Sequence, residues 1–519
     1  RSIGAAASAI TVGLALCAGI TTAKESSQDS RRGDRESHPY KHGQHSPFVE
    51  RRGSNLYLHG RPFRFAGSNN YYPIYKSQFM VDALFDKAEA NGFDVMRVWG
   101  SLDIGHEDGS NSIDGEGKKE GVYFQYWNGS APAYNDGPDG LERLDYVIYK
   151  AGQNGIKLVI PFVNNWNAFG GMDQYVRWRG GQYHDEFYTD PAIKQWYKDW
   201  IAHLLDRVNT YTGVKYKNDP TIMTWELGNE PRCLSAGAYP RSPTCSAETL
   251  TAWVGEMAAY IKSIDRNHLV SAGDEGFYCD PAAEDWTENC NEGVDTLAFA
   301  SQEHVDVMSL HLYPDHWGKT PEWGTEWIRR HIRDADRIGK PVMLGEFGLQ
   351  DKNRRNAVYK EWTDAVFKLR GDGALYWILS DLQDDGTLYP DYDQFTVYCP
   401  SPVCTTFRNF GWMQETGIPF PFAPVADDDR VETAFDTPVT LAPLTNDVAY
   451  RPFKLLPGSI DLSIATAGQQ TSASTASGMF VLLADNTVSV APTPGFSGEA
   501  LLPYTVKDSA RRTSNSANL

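Results

Sequence analysis

From Phe48 onward, short apolar blocks rich in β-branched and aromatic residues alternate with longer blocks whose apolar positions recur at helical spacing. That alternation is the mark of βα units. The strand-like blocks fall at residues 62–67, 93–99, 156–162, 221–225, 268–273, 305–310, 341–344 and 373–379. Helical spacing marks 81–90, 141–154, 191–211, 246–264, 325–338 and 353–369. Eight strands with helices between them are what a closed barrel needs, so the expected fold is α/β, a (β/α)8 TIM barrel. Residues 100–140, rich in Gly, Asp and Tyr, are expected as a long loop over the rim of a cleft.

The pattern changes near Gly417. Residues 417–424 hold three prolines and read as a stiff linker. Beyond them come short Thr-, Val- and Ser-rich blocks separated by turn residues, the pattern of a small all-β sandwich at 425–519. At the other end, residues 24–46 are polar without apolar period and read as a disordered leader. Residues 1–23 resemble an export signal: Arg1, an apolar run over 5–20, and a small-residue cleavage site at Thr21-Thr22-Ala23. The apolar run is too short for a membrane span, so no membrane insertion is expected.

At 519 residues, 41% hydrophobic and 13% aromatic, the chain can bury a sizeable core and carry a second domain. The formal charge of −19, from 48 basic and 67 acidic residues, repels phosphate backbones, so nucleic acid is excluded as a partner. A neutral polymer is not repelled, and 15 Trp with 27 Tyr supply flat rings of the kind that hold sugars. Cys17 falls within the export signal. The other six cysteines form three sequence-local pairs, Cys233/Cys245, Cys279/Cys290 and Cys399/Cys404, which an exported chain is expected to oxidise. Without a CxxC pair or nearby His ligands, neither a metal nor another cofactor is expected.

The candidate chemistry sits at strand ends. In the stretch 221–233, TIMTWELGNEPRC, an apolar strand runs into Glu226, Asn229 and Glu230. A second carboxylate, Glu346, follows the seventh strand in Gly-Glu-Phe-Gly. Glycoside hydrolysis uses such a pair, one carboxylic acid to protonate the leaving oxygen and one carboxylate as base or nucleophile. Arg97, His311 and Tyr313 also fall at strand ends and are placed to hydrogen-bond Glu346 and keep it ionised. Asn229 suits a sugar 2-hydroxyl. The structural alternative, two separate ion-paired carboxylates, does not account for Glu230 and Glu346 together with Arg97, Asn229 and Tyr313. In the C-terminal segment, Asp427, Asp428 and Asp429 with Asn446, Asp447 and Asp508 offer calcium-type ligands, but a solvated acidic loop is the expected reading.

Several motifs, in this order, resemble the endo-β-1,4-mannanases of glycoside hydrolase family 5, in the plant and fungal branch. They include Asn69-Asn70-Tyr71-Tyr72, Val95-Met96-Arg97-Val98-Trp99, Val163-Asn164-Asn165-Trp166, Gly228-Asn229-Glu230-Pro231-Arg232-Cys233, His311-Leu312-Tyr313-Pro314 and Gly345-Glu346-Phe347-Gly348. The resemblance covers roughly residues 48–410 and places the catalytic domain at 47–416. It implies a retaining mechanism with Glu230 as acid/base and Glu346 as nucleophile. Arg97, Trp99, Asn165, Asn229, His311, Tyr313 and Trp377 would contact substrate, Trp377 as the platform under the sugar at the cleavage point. Many family members carry His at the end of the third strand where this chain has Asn164-Asn165-Trp166, a departure shared with the mannanase branch. The implied partner is β-mannan, in mannan, glucomannan or galactomannan. The 425–519 segment resembles cadherin-like, bacterial immunoglobulin-like repeats through Thr445-Asn446-Asp447 and Tyr504-Thr505-Val506-Lys507-Asp508. It implies secretion with cell-wall or surface association. The alternatives are a cellulase or transglycosylase on the same barrel, or a non-catalytic polysaccharide-binding or adhesion protein.

Overall fold

The structure, a computed structural model, describes residues 46–419, 422–450 and 453–519. The expected export signal, the leader up to residue 45 and Cys17 lie outside the described residues. Eight parallel strands form one sheet: β1 (Phe65–Asn70), β2 (Val95–Val98), β3 (Lys157–Pro161), β4 (Ile222–Glu226), β5 (Leu269–Ser271), β6 (Met308–Leu312), β7 (Val342–Phe347) and β8 (Gly373–Tyr376). Their spatial order follows the chain, with β8 beside β1. A parallel bridge from Ser271 to Val307 closes the ring between β5 and β6. This is the (β/α)8 barrel the alternation predicts.

One residue from each strand or its start, Phe65, Val95, Val159, Met223, Leu269, Val307, Met343 and Leu375, packs inward into one apolar cluster. Val49 and Leu56 from the N-terminal hairpin join it and cap the ring. The barrel is therefore a filled core at that end, and side chains at the other end are left to line a site.

Eight helices follow their strands: α1 (Gln78–Ala90), α2 (Glu142–Gln153), α3 (Pro191–Asp206), α4 (Ala247–Ile264), α5 (Thr296–Ala300), α6 (Pro321–Ile338), α7 (Lys352–Leu369) and α8 (Pro402–Thr416). Ser77, Asp190, Ser246, Asp295, Thr320, Asp351 and Ser401 cap seven of them by accepting a hydrogen bond from a first-turn N–H. Two differences from the sequence reading have local causes. α3 stops at Asp206 instead of 211, because Asn209 turns the chain by accepting from the Tyr211 and Thr212 N–H groups. α8 was absent from the expected set, although Ser401-Pro402 is a cap and first-turn proline. All three expected disulfides are formed.

The C-terminal segment is an antiparallel sandwich. One sheet has the order β9 (Val439–Leu441), β13 (Val488–Pro492), β12 (Gly478–Leu482), β11 (Ser472–Ser474). The other has β10 (Leu455–Asp461), β14 (Pro503–Asp508), β15 (Ala517–Asn518). Its own core includes Ile460, Leu462, Phe480, Val488, Tyr504 and Val506. It docks on α7 and α8: Val425, Val448 and Tyr450 pack with Ala357 and Phe422, and Asn409 donates to the Tyr450 hydroxyl at 2.7 Å.

Candidate active site

The barrel strands deliver their side chains to one open groove of about 940 Å³, lined by Tyr71, Trp99, Asn164, Trp166, Asn229, Glu230, Tyr313, Glu346 and Trp377 among others. Arg97, on β2, is its buried hub. Its Nε donates to Glu226 at 2.7 Å, one Nη to Glu346 at 2.5 Å and to Asn69 at 3.2 Å, and the other Nη to Asn229 at 2.8 Å. A planar, permanently charged fork can hold four groups at once, which a lysine cannot. Every strand-end residue it touches is thereby fixed in position.

Glu346 lies within β7, not after it, because the strand continues to Phe347. Its second oxygen accepts from the Tyr313 hydroxyl at 2.7 Å. Glu230 lies four residues past β4 with φ of 56°, a left-handed conformation that costs a non-glycine residue about 1–2 kcal/mol. Its N–H is held by the Gly273 carbonyl at 2.8 Å. Gly273 itself has φ of 76°, and a Cβ there would lie 2.0 Å from the Gly228 oxygen. Two backbone positions are thus bent to aim the Glu230 carboxyl into the groove.

His311 departs from expectation. Its Nδ1 meets Glu230 at 2.6 Å and stands 3.8 Å from Glu346, so it serves mainly the first carboxylate. Trp166 also donates to Glu230, at 2.5 Å. Asn165 is the clear correction. It is fully buried away from the groove, with its amide spent on the Leu234 carbonyl, His184, Tyr188 and the Arg232 N–H. Its neighbour Asn164 faces the groove instead, bonded to Asn229 at 3.0 Å. In a strand-end turn, adjacent residues point to opposite sides, and the sequence carries no mark of which. Asn229 uses its oxygen on Arg97 and one N–H on Asn164, leaving one amide N–H for a ligand. Trp99 lines the groove beside Trp377, with ring centres 6.1 Å apart. Trp377 stacks near Tyr71 at 5.8 Å and donates to Asp393 at 2.6 Å.

The sequence reading named Glu226 without a role and gave none to Asn69, Arg232, Glu275 or Asp393. Glu226 and Asn69 sit inside quoted motifs, and a buried Arg97 needs such partners. Arg232 grips Glu275 with two bonds of 2.5 Å, and neither has a periodic signal.

Burial would raise the Glu230 carboxyl, but the hydrogen bond and charge of His311, helped by Arg232 and Trp166, draw it down to about 2. For Glu346, burial and the nearby Glu230 charge prevail over His311, Arg97 and Tyr313, and the carboxyl is pushed up. Burial works against the His311 imidazolium, yet the two carboxylates hold it above its usual value. Arg97 beside Glu346 never releases its proton, whereas His311 beside Glu230 can, so the mobile proton belongs to the His311–Glu230 bond. One carboxyl oxygen of Glu230, one of Glu346 and a His311 nitrogen lie within 4.8 Å of one another.

Residues 46–370 match the family model described as GH family 5 beta-mannosidase-like, and residues 421–518 match a bacterial Ig domain. A probable mannan endo-1,4-beta-mannosidase A-2 of Aspergillus terreus is 32% identical over 67% of this chain and 83% of its own length. Mannan endo-1,4-beta-mannosidase 3 of Arabidopsis thaliana is 36% identical over 64% and 82%. Among solved structures, the endo-1,4-beta-mannanase of Rhizomucor miehei superposes with a TM-score of 0.66 at 35% identity, covering 71% of this chain and 99% of the other.

Proposed function

The chain belongs to glycoside hydrolase family 5, in its β-mannosidase-like part, and from that premise we propose a secreted, retaining endo-β-1,4-mannanase. It hydrolyses internal β-1,4-mannosidic bonds of mannan, glucomannan or galactomannan. The observation that carries the mechanism is the spacing of Glu230 and Glu346, whose oxygens approach within 4.8 Å. Retaining enzymes hold this pair about 5–5.5 Å apart, while inverting ones need about 6.5–9.5 Å for a water.

In the first step a Glu346 oxygen attacks the anomeric carbon and the glycosidic C–O bond breaks. The proton shared along the 2.6 Å Glu230–His311 bond passes through Glu230 to the leaving oxygen, which leaves Glu230 a carboxylate beside a neutral His311. A mannosyl ester on Glu346 results. Water then attacks that carbon, Glu230 takes the water's proton, and the ester bond breaks. Tyr313 and Arg97 hold Glu346 in line, and the free N–H of Asn229 meets the sugar 2-hydroxyl. Trp377 lies under the ring at the cleavage point.

Export is supported by the three disulfides and the signal-like N-terminus. The sandwich module, with its Ig-type match, would hold the enzyme at a cell wall or surface. The test is the time course on mannohexaose followed by NMR: the β-anomer forms first, and early α-anomer overturns retention. Faster cleavage of carboxymethylcellulose than of glucomannan overturns the substrate.

A further inference from the structure

Arg355, on the first turn of α7, is a buried cation that binds no substrate and faces no groove. Its partners are main-chain carbonyls from two separate loops. Nε donates to Leu349 at 2.7 Å, one Nη to Thr396 at 3.1 Å, and the other Nη to Gln394 and, at 3.5 Å, Gln350. Leu349 and Gln350 follow the strand that carries Glu346, and Gln394 and Thr396 follow β8. A rigid fork can join four carbonyls that a lysine's single ammonium cannot span.

What those loops carry gives the arrangement its meaning. Asp393 accepts from the Trp377 indole at 2.6 Å with one oxygen and from the Phe395 N–H at 3.0 Å with the other. Its carbonyl accepts from the Gln350 amide at 3.0 Å, so the two loops are also tied to each other there. Gln394, between Asp393 and Phe395, is held at φ of 70°, a left-handed conformation that needs support in a residue with a side chain. Phe395 packs edge-on against Tyr313 at 5.3 Å.

We propose that Arg355 is a positioning residue, which clamps the two loops so that Asp393 fixes the Trp377 ring beneath the sugar. The inference rests on the reading of Trp377 as the sugar platform. It is tested by a double-mutant cycle of Arg355→Lys and Trp377→Ala, measuring kcat/KM on soluble galactomannan and the tryptophan emission of each chain, with circular dichroism as the fold control. Arg355→Lys should lower kcat/KM about tenfold alone but no more than about twofold in the Trp377→Ala background, since coupled residues are non-additive. Its emission shift should vanish in that background too. Equal loss in both backgrounds, or no loss in the first, overturns the proposal. If Arg355→Lys does not fold, Asp393→Asn takes its place in the same cycle with the same expected pattern. Should the unmodified chain release no reducing ends, the mannanase reading fails, and the emission cycle still decides the role of Arg355.

Discussion

The groove and the acidic end of the sandwich module, around Asp427, Asp429 and Asp447, both shield carboxylates from water, but with different partners. In the groove, Glu226 and Glu346 share Arg97, Glu275 is gripped by Arg232, and Glu230 meets His311. In the module, among the described residues, Asp447 accepts from the Asp427 N–H and the Tyr504 hydroxyl, and one oxygen each of Asp429 and Asp447 is buried with no partner. The sequence reading of a solvated acidic loop is therefore corrected in part: Asp428 is exposed, but Asp427 and Asp429 are half-buried, and Asp447 is 5% exposed and Asn446 0%. Burial pushes Asp427 and Asp429 up to about 7 and Asp447 up to about 8. A buried charge either finds a counter-charge or takes a proton. In the groove each of these carboxylates has a cationic partner; at Asp427, Asp429 and Asp447 burial is the largest influence and favours the protonated form.

The comparison is broken first at the groove. Glu346→Ala should lower kcat on galactomannan by about 10⁴-fold or more, on the scale of other lost nucleophiles, and residual turnover within tenfold of the parent removes Glu346 from the mechanism. Glu230→Gln should cost about 10²–10⁴ in kcat. An aryl mannoside with a strongly acidic leaving phenol should recover most of its first step, because that step needs no proton from the enzyme; equal loss on both substrates refutes the acid role.

Next comes the module. Asp427, Asp429 and Asp447 have folded values raised above the unfolded value of about 3.9, so the folded state binds the proton more tightly. Their stabilising contribution is complete below that value and is lost as pH rises towards 7–8. The module contains no tryptophan, so calorimetry reports its melting while tryptophan emission follows the barrel. The calorimetric transition should fall between pH 4 and 8, and Asp447→Asn should flatten the fall; a transition level across that range contradicts the unpaired burial. Smallest is the docking bond. Asn409→Ala should cost about 1 kcal/mol in the denaturant midpoint of the joint transition, and an unchanged midpoint would show that the apolar contacts of Val425, Val448 and Tyr450 suffice.

Much of this was legible from the order of residues. Period-two and helical apolar patterns are local, so they marked all eight strands and six of the eight helices. The helix α8 is the instructive omission, since its Ser401-Pro402 start is an equally local signal. Carboxylates directly after apolar strands marked the groove, because a barrel exposes every strand's C-terminal end to the same opening.

The sequence by itself determined the barrel, the appended sandwich, the disulfide pairs and the two carboxylates, because periodicity, turn chemistry and motif spacing act over a few residues. Only the tertiary structure decided that Asn164 and not Asn165 faces the groove, that His311 serves Glu230, that Arg355 bonds carbonyls of two distant loops, and that Asp447 is buried. Side-chain direction at a strand end and the partner of a buried charge depend on residues hundreds of positions away, such as Arg97 and Glu346, 249 apart. No local pattern encodes those distances.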